Sequence, residues 1–434
     1  MKIRITILSL LAMLTVAVQA QTKDVTTLAE GQVYKTMDSN VQGEWASLGI
    51  FARANYNYKY RYLLEVNFRA DGASRFPQDQ RWGYFPSASV GWNVAEEPFM
   101  AKIKQKFLDN LKIRASYGTL GNQNTSSFYP YFQAMYVNLT SLVLGGEQQS
   151  SLPVYSPYSS SLTWETIVNM GIGVDWSLFG SRLSGSFDWY ERVTKDMIGP
   201  AKSLSALYGA AAPRTNNAEL RTRGWEIELT WRDRIGKFNY SITANVSDYQ
   251  TVVTKYYSAT GQCFGTSNTA RNGGYWYEGK DYGEIWGYHV IGVAQSDDQM
   301  NTYLDKVSQS AIGSNWGGGD LMYADLNGDG KVDAGSATLS DHGDMIRIGN
   351  STPRYAYSFA LQGDYKWIDF RVYFQGIGKR DFLFENCAPF YGQAGEWQRN
   401  YFVDHLDYFR YAGSDLGANL DPYYGRILSW SWHH

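Results

Sequence analysis

One short stretch of the sequence has the residue types and the spacing of a calcium-binding loop. Oxygen ligands at alternate positions converge on one hard cation when a glycine at the sixth position allows a sharp turn. Gly330 stands at that position, and the residue after it supplies a backbone carbonyl. We therefore predict a structural Ca²⁺ site in loop 325–336, with the ligands Asp325, Asn327, Asp329, Lys331 and Asp333.

The twelfth position of this loop departs from the pattern. It holds Ser336 where a calcium loop has a bidentate glutamate, and Asp341 or Asp344 could fold back to replace that ligand. The alternative is an ordinary turn, because Asp, Asn and Gly are common turn residues. In either case we expect the segment to stabilise a long exposed loop.

A group of aromatic residues could bind a ligand by stacking. Flat rings with polar edges suit sugar rings. The alternative is that these rings pack the loop or form part of an aromatic girdle at a membrane interface. The residues concerned are Tyr275, Trp276, Tyr277, Trp286 and Tyr288.

The sequence contains no recognisable catalytic motif. The 5 histidines show no metal-binding spacing, and neither a Gly-x-Ser-x-Gly motif nor a phosphate-binding glycine loop occurs. A carboxylate pair such as Glu96 and Glu97 could serve a glycosidase. A simpler explanation is two solvated charges at the end of a strand. We therefore expect no enzymatic activity.

Composition narrows the class of protein. Aromatic residues form 16% of the 434 residues, glycine occurs 43 times, and the formal net charge is −3. This is a β-type composition, and without a basic stripe it excludes a nucleic-acid-binding protein. The two cysteines, Cys263 and Cys387, could form a disulfide or remain free, so the fold cannot depend on them.

Residues 1–20 have the features of a secretory signal peptide. Lys2 and Arg4 precede an apolar run that ends at Val18, and Ala20 provides the small residue at the cleavage site. We predict cleavage after Ala20 and a short linker at 21–45. No later apolar run approaches the length of about 18 residues that a spanning helix needs, so a membrane-resident chain must cross with strands.

The strongest structural signal is the alternation of apolar and polar residues at a period of two. It predicts a mainly β fold, an antiparallel transmembrane β-barrel segment of about ten strands, most with the roughly 9 to 11 residues needed to cross a bilayer. A large soluble sandwich or propeller is the alternative. In a barrel, the apolar residues face lipid and the polar residues face a hydrated lumen.

The predicted connections also alternate in length, as in outer-membrane barrels with short periplasmic turns and long extracellular loops. Tight turns are predicted at Lys59, 179–182, 233–237 and 363–366. The long loops are predicted at 119–163, 195–223 and 249–353.

Several blocks between Ser47 and Asp381 occur in the order of a known family. They include Gly83-Tyr-Phe-Pro-Ser-Ala-Ser-Val-Gly-Trp, Asn217-Ala-Glu-Leu-Arg-Thr-Arg-Gly-Trp-Glu, Glu284-Ile-Trp-Gly-Tyr and Ile348-Gly-Asn-Ser-Thr-Pro-Arg-Tyr. With these blocks the sequence resembles the SusC/RagA family of TonB-linked outer-membrane transporters. The resemblance implies a wide barrel with an N-terminal plug, which the TonB complex drives to import oligosaccharides or peptides together with a SusD-like surface lipoprotein.

The resemblance predicts that residues 46–434 form part of such a barrel in the outer membrane. The stretch 21–45 is too short for a plug, and the similarity ends at Pro422-Tyr-Tyr-Gly-Arg. We therefore expect a barrel fragment that lacks the plug and the final strands, on which TonB would act only if a plug is present. The main alternative is a non-transporting surface protein that binds glycan or a SusD-like lipoprotein through its long loops; a passive porin is the third.

Overall fold

The computed structural model describes residues 17–20, 45–104, 107–125, 129–131, 138–151, 157, 159, 161–201, 205, 207, 212–265, 275–383 and 403–426. Two compact units divide the chain. The first, here called the sheet unit, comprises Met1–Ala259 and Arg354–Gly378. The second, here called the loop unit, comprises Thr260–Pro353 and Lys379–His434.

The regular elements are mainly strands. In chain order they are β1 (Ala17–Ala20), β2 (Ala46–Tyr58), β3 (Tyr62–Ala73), β4 (Trp82–Asn93), α1 (Ala101–Lys104), β5 (Leu108–Asn122), β6 (Asn138–Leu144), β7 (Glu147–Ser151), β8 (Glu165–Leu178), β9 (Leu183–Pro200), β10 (Arg214–Ile235), β11 (Phe238–Lys255), β12 (Glu284–Tyr288), β13 (Val290–Val293), α2 (Asp297–Leu304), β14 (Leu321–Tyr323), β15 (Met345–Asn350), β16 (Arg354–Tyr365) and β17 (Ile368–Lys379). Single 3₁₀ turns occur at Val94–Glu96, Pro98–Met100 and Val403–Leu406.

The sheet unit is built on one open sheet in the order β1-β2-β3-β4-β5-β8-β9-β10-β11-β16-β17. Every strand neighbours the one that precedes it in this sheet along the chain, as expected for successive hairpins. Ten of the strands have 12 to 22 residues, and the edge strand β1 has 4. This confirms the predicted mainly antiparallel β fold with about ten long strands.

The tight turns owe their geometry to residues with positive φ. Lys59 and Tyr60 have φ of 53° and 55°, which lets β2 and β3 form a hairpin with matching twist. The hairpin predicted about Lys59 is therefore confirmed. Two other turns are narrower than predicted, because β10 continues to Ile235 and β16 continues to Tyr365.

The register places apolar side chains in continuous rows across the sheet. One row of directly paired residues passes through eight strands and defines the apolar face: Tyr62, Trp92, Ile113, Val174, Phe187, Ile227, Val246 and Tyr357. The adjacent row belongs to the opposite, polar face and contains Gly91, Arg114, Gly173, Asp188, Glu226 and Ser247. The predicted division of the strands into two faces thus extends through the sheet.

The strands extend well into the predicted long loops. β9 ends at Pro200 and β10 begins at Arg214, so their connection is 201–213 instead of 195–223. β11 likewise continues to Lys255, and β5 to Asn122. The backbone ladder persists where the apolar alternation stops, because cross-strand hydrogen bonds do not depend on the alternation of the side chains.

The loop unit has a small core of its own. Its buried residues are Cys263, Phe264, Tyr277, Trp286, Ala337 and Met345. The pairs β12–β15 and β13–β14 form two short sheets, and Ser296 caps α2 by accepting from the Gln299 N–H at 3.2 Å. Cys263 is a free, buried thiol, whereas Cys387 lies outside the described residues.

The region predicted as signal peptide and linker is described only in part. Ala17–Ala20 forms β1 and pairs antiparallel with Ala46–Gly49 of β2. Residues 1–16 and 21–44 lie outside the described residues, so cleavage after Ala20 remains a prediction. Among the described helices, none has the length and apolar character needed to span a membrane.

Candidate functional site

The polar face of the sheet unit contains a groove of about 1020 Å³ near the tight-turn end of the strands. The period-two alternation of β2, β3, β4, β5 and β9 brings polar side chains from all five strands to one side. Its charged and amide lining comprises Arg53, Asn55, Asn57, Lys59, Glu65, Lys112, Arg114 and Asp188. This hydrated surface suits a polar ligand or passage.

An ion cluster contributes Arg114 and Asp188 to the lining of this groove. The Arg114 guanidinium contacts Asp175 at 3.1 Å and Asp188 at 2.7 Å, which joins β5, β8 and β9. Gly173 makes room for it, because a Cβ at that position would lie 2.8 Å from the Arg114 Cζ. The sequence identifies Arg114 as a polar-face residue, but only the register shows that both carboxylates are within its reach.

Lys112 adds a positive charge to the same groove. Its register partner Asp175 is engaged by Arg114, and among the described residues no carboxylate oxygen lies within 4.0 Å of the Lys112 ammonium. Arg53 donates to the Asn67 side chain at 2.7 Å and lies 3.7 Å from Glu65. The groove therefore offers both hydrogen-bonding groups and a cation to a ligand.

In the loop unit, the predicted calcium ligands form a compact turn. Asp325 accepts from the N–H groups of Gly328 at 2.7 Å and Gly330 at 2.9 Å. The Lys331 ammonium forms an ion pair with Asp333, and this pair lowers the pKa of the Asp333 carboxyl. The carboxylates of this loop thus form hydrogen bonds and an ion pair with other groups of the same loop.

Of the two residues that could replace the twelfth ligand, Asp344 is the one that folds back onto the start of the loop. This residue is fully buried, and its carboxylate accepts from the N–H groups of Leu326 at 2.6 Å and Asp333 at 3.0 Å. Asp341 instead accepts from the Ser336 N–H at 3.0 Å. Within the described residues, no three His, Cys, Asp or Glu side chains converge closely enough to hold a metal ion.

Of the aromatic residues proposed for ligand stacking, two are buried and three are partly exposed. Tyr277 and Trp286 are only 4% and 5% exposed, so the prediction that their faces stack on a ligand is wrong. They pack in the core of the loop unit instead, which is the alternative stated above. Tyr275, Trp276 and Tyr288 are partly exposed, and Trp276 lies 6.1 Å from the ring of Tyr282.

The polar edges of the two buried rings meet at a residue that the sequence did not single out. Glu284 accepts from the Trp286 indole N–H at 2.9 Å and from the Tyr277 hydroxyl. Lys280 and Arg347 lie 3.6 Å and 3.3 Å from its carboxylate. Burial lowers the pKa of Lys280, and burial with the bond to Glu284 raises the pKa of Tyr277. This buried cluster holds the loop unit together.

The fold agrees with the proteins to which the chain is similar. Residues 19–375 match the family described as "TonB dependent receptor-like, beta-barrel". The TonB-dependent receptor P3 of Formosa agariphila is 27% identical over 355 residues, which cover 80% of this chain and 33% of the relative. The TonB-dependent receptor SusC of Bacteroides thetaiotaomicron is 25% identical over 398 residues, which cover 85% of this chain and 37% of the relative.

A solved structure has the same fold. The RagAB peptide transporter superposes with a TM-score of 0.65 at 20% identity, over 89% of this chain and 39% of that chain. The chain spans about a third of the length of the curated relatives it matches, 33% for the receptor P3 and 37% for SusC. Because the family match covers most of the sequence, the chain belongs to the TonB-dependent receptor β-barrel family, a family of outer-membrane receptors and transporters.

Proposed function

We propose that the sheet unit forms part of the wall of an importer that takes up oligosaccharides or peptides through the bacterial outer membrane. The observation that carries the proposal is the two-faced sheet. Its apolar rows suit lipid, while Arg114, Lys112 and their polar neighbours on the other face suit a hydrated lumen. The similar fold of the RagAB peptide transporter supports the peptide class. The oligosaccharide class rests on the resemblance of the sequence to the SusC/RagA family.

We propose two partners for this importer. A SusD-like surface lipoprotein would capture the oligosaccharide or peptide, and the TonB complex would supply energy through a plug domain that occupies the lumen. The family match and the resemblance to the SusC/RagA transporters support these partners. The predicted signal peptide at 1–20 would direct the chain to the cell envelope.

The importer proposal can be tested by introducing a bulky side chain into the groove on the polar face. In cells that contain the complete transport assembly, Ser116→Trp should slow the uptake of labelled oligosaccharide or peptide, because Ser116 lines the groove. Tyr117→Trp is the matched control, since the next residue of β5 lies on the apolar face. Uptake should also stop when the proton-motive force is collapsed. Binding at the cell surface without any uptake would refute the importer.

That last outcome would favour the alternative, a surface protein that binds glycan or a SusD-like lipoprotein without conduction. The independent core of the loop unit supports this alternative. Trp276 and the 51% exposed Tyr282 would then offer ring faces to a ligand. Trp276→Ala should weaken glycan binding in that case, while Asp305→Asn, an exposed change at the end of α2, should not.

We also propose that Ca²⁺ binds loop 325–336 and stabilises the loop unit. The proposal is supported by the ligand spacing, by the left-handed backbone of Gly330 at φ 80°, and by the fold-back of Asp344. Binding would bring Asp325, Asp329 and Asp333 together, because no three acidic side chains of the described residues converge on one point in this structure.

Calcium titration of the purified chain tests this second proposal. Calorimetry should show binding, and the thermal midpoint of the loop unit should rise with calcium concentration. Asp329→Asn should weaken binding, while Asp305→Asn, an exposed change at the end of α2, should not. Absence of any heat or shift at about millimolar calcium, the weak end of such loops, would refute it.

A further inference from the structure

The connection between β4 and β5 differs from the other turns at the same end of the sheet. The hairpins β2–β3, β8–β9, β10–β11 and β16–β17 close with only a few residues. Residues 94–107, here called the rim segment, instead form two 3₁₀ turns followed by α1, with residues 105 and 106 outside the described range. The extra length gives this segment room to leave the plane of the sheet.

Glu97 attaches the rim segment to the apolar face. Its carboxylate accepts from the Tyr62 hydroxyl at 2.7 Å and from the Trp92 indole N–H at 3.0 Å. Tyr62 and Trp92 are register partners in the apolar row, so the segment turns toward that side of the sheet. Glu97 is only 8% exposed, and the expectation that it is a solvated charge at a strand end is therefore wrong.

The rim segment presents apolar side chains that nothing in the described structure covers. Phe99, Ile103 and Phe107 are 65%, 39% and 46% exposed. Their spacing of four residues places Phe99 and Ile103 on one side of a helical turn. Phe107 also contacts Phe179 of the neighbouring turn, with 6.4 Å between ring centroids. The apolar face of the sheet therefore continues onto this segment.

Basic residues accompany these apolar groups. Lys102 is exposed in α1, and Lys104 ends the same helix. Two other turns at this end repeat the combination, because Lys59 lies over the Tyr58 ring and Lys366 over the Tyr365 ring, each at 5.2 Å. Aromatic and lysine side chains together are typical of the zone where a bilayer meets water.

We propose that the rim segment is an interfacial anchor that lies in the headgroup layer and binds anionic phospholipid. Phe99 and Ile103 enter the edge of the hydrocarbon, and the exposed Lys102 reaches the phosphate groups, as in other amphipathic interfacial segments. Continuity with the apolar face and the charge of the lysines identify this occupant. The anchor rests on the proposed function, because it requires that the apolar face is embedded in lipid.

The test uses the purified full chain reconstituted in nanodiscs, with Cys263→Ser and Cys387→Ser to remove the native thiols. One sample carries a fluorophore at Ala101→Cys in the rim segment, and a second carries it at Tyr357→Cys in the apolar row. Spin-labelled lipids then report depth. We expect headgroup labels to quench the first probe and acyl-chain labels to quench the second.

Lipid composition and charge reversal test the anionic component. Adding phosphatidylglycerol to phosphatidylcholine nanodiscs should increase quenching at position 101. Each basic residue at an anionic surface contributes about a fivefold factor in binding, so the charge reversal Lys102→Glu should abolish that increase. Lys306→Glu, an exposed change in the loop unit, is the control and should leave it unchanged.

The outcomes separate the anchor from the importer. Quenching at position 357 without quenching at position 101 would overturn the anchor and leave the lipid-facing sheet intact. Quenching at position 101 that ignores phosphatidylglycerol would overturn the anionic-lipid proposal. Quenching at neither position would show that the apolar face is not in lipid, which would refute the proposed function and the anchor together.

Discussion

The guanidinium of Arg354 forms a bidentate ion pair with the carboxylate of Asp248. Its Nε and Nη2 atoms each lie 2.6 Å from a carboxylate oxygen, and the Tyr355 N–H donates to the same carboxylate at 3.2 Å. This two-point geometry is the strongest form of an arginine–carboxylate contact. It joins β16 to β11 at the point where the chain returns from the loop unit, and so it sets the register between these two strands.

We predict that Arg354→Ala destabilises the sheet unit. Asp248 is 7% exposed, and a buried carboxylate that loses its partner costs about 3 kcal/mol, the lower end of the usual range because Arg354 is partly exposed. Urea unfolding in detergent micelles, followed by tryptophan fluorescence, measures the loss. Arg69→Ala breaks a more exposed pair with Asp71 and should cost less than about 1 kcal/mol. Equal losses for the two variants would contradict this ranking.

Gly121→Ala should also destabilise the sheet. A Cβ at position 121 would lie 2.0 Å from the ring of Phe85, which is 5% exposed and packed against Trp164. Overpacking of this kind costs about 1 to 3 kcal/mol. Gly171→Ala is the matched control, because its Cβ would lie 3.3 Å from Ser116 Oγ and 3.7 Å from the Trp189 carbonyl oxygen, which is a much smaller overlap. Thermal unfolding should separate the two variants, and a Gly121→Ala protein as stable as the control would show that Phe85 moves freely.

Glu284→Gln should loosen the loop unit. The change leaves the buried Lys280 without its counter-charge, at a cost of about 3 kcal/mol. Cys263 lies in the same core and is 1% exposed, so its reaction with a thiol reagent reports local opening. In a Cys387→Ser background we expect the reaction to accelerate about 100-fold.

Glu278→Gln provides the control for that experiment. Glu278 is exposed in the same loop, so the same chemical change there should leave the thiol protected. Equal thiol reactivity in both variants would show that the cluster around Glu284 does not hold the core closed.

The loop unit should lose structure in acid. The Gly318 N–H and the Tyr411 hydroxyl lower the pKa of Asp297, and Ser336 lowers the pKa of Asp341 through its hydroxyl and its N–H. A lowered carboxyl pKa stabilises the folded state above the unfolded value, near ~3.9, and this contribution disappears as the pH falls through the folded pKa. Near-UV circular dichroism should therefore change below about pH 4.

Asparagine variants identify the carboxylates responsible. Asp297→Asn and Asp341→Asn should each reduce the acid transition, because an amide does not titrate in this range. Asp305→Asn should leave the transition as it is. An unchanged transition in both of the first two variants would place its origin in other carboxylates.

Local sequence patterns predicted the sheet because the alternation of side chains and the short turns that form it both involve residues close together in the chain. Alternation at Trp176 and Leu178 identifies a face, and the short turn at Lys59 brings two consecutive strands together. The ends of the strands were predicted less well. β10 starts at Arg214, in a stretch without apolar alternation, and the backbone ladder that continues there leaves no trace in side-chain pattern.

How well each site could be predicted depended on how far apart in the sequence its contacting residues lie. The turn at Asp325 follows from neighbours within a few residues, and its fold into a compact loop was expected from spacing. The sequence left open whether Trp286 and Tyr277 bind a ligand or pack the loop, because aromatic rings suit a core as well as a ligand. Only the position of Glu284 between them decides which use they have.

The sequence by itself determined the long strands of the main sheet, their order and its two faces, since a period of two and short hairpins act between neighbours in the chain. The short strands β6, β7 and β12 to β15 lie within the predicted long loops 119–163 and 249–353 and were not predicted. The tertiary structure decided which charges meet. Arg114 reaches Asp175 and Asp188, and Arg354 reaches Asp248, across separations of 61, 74 and 106 residues. Register and packing set these distances, and no local preference of a single segment encodes them.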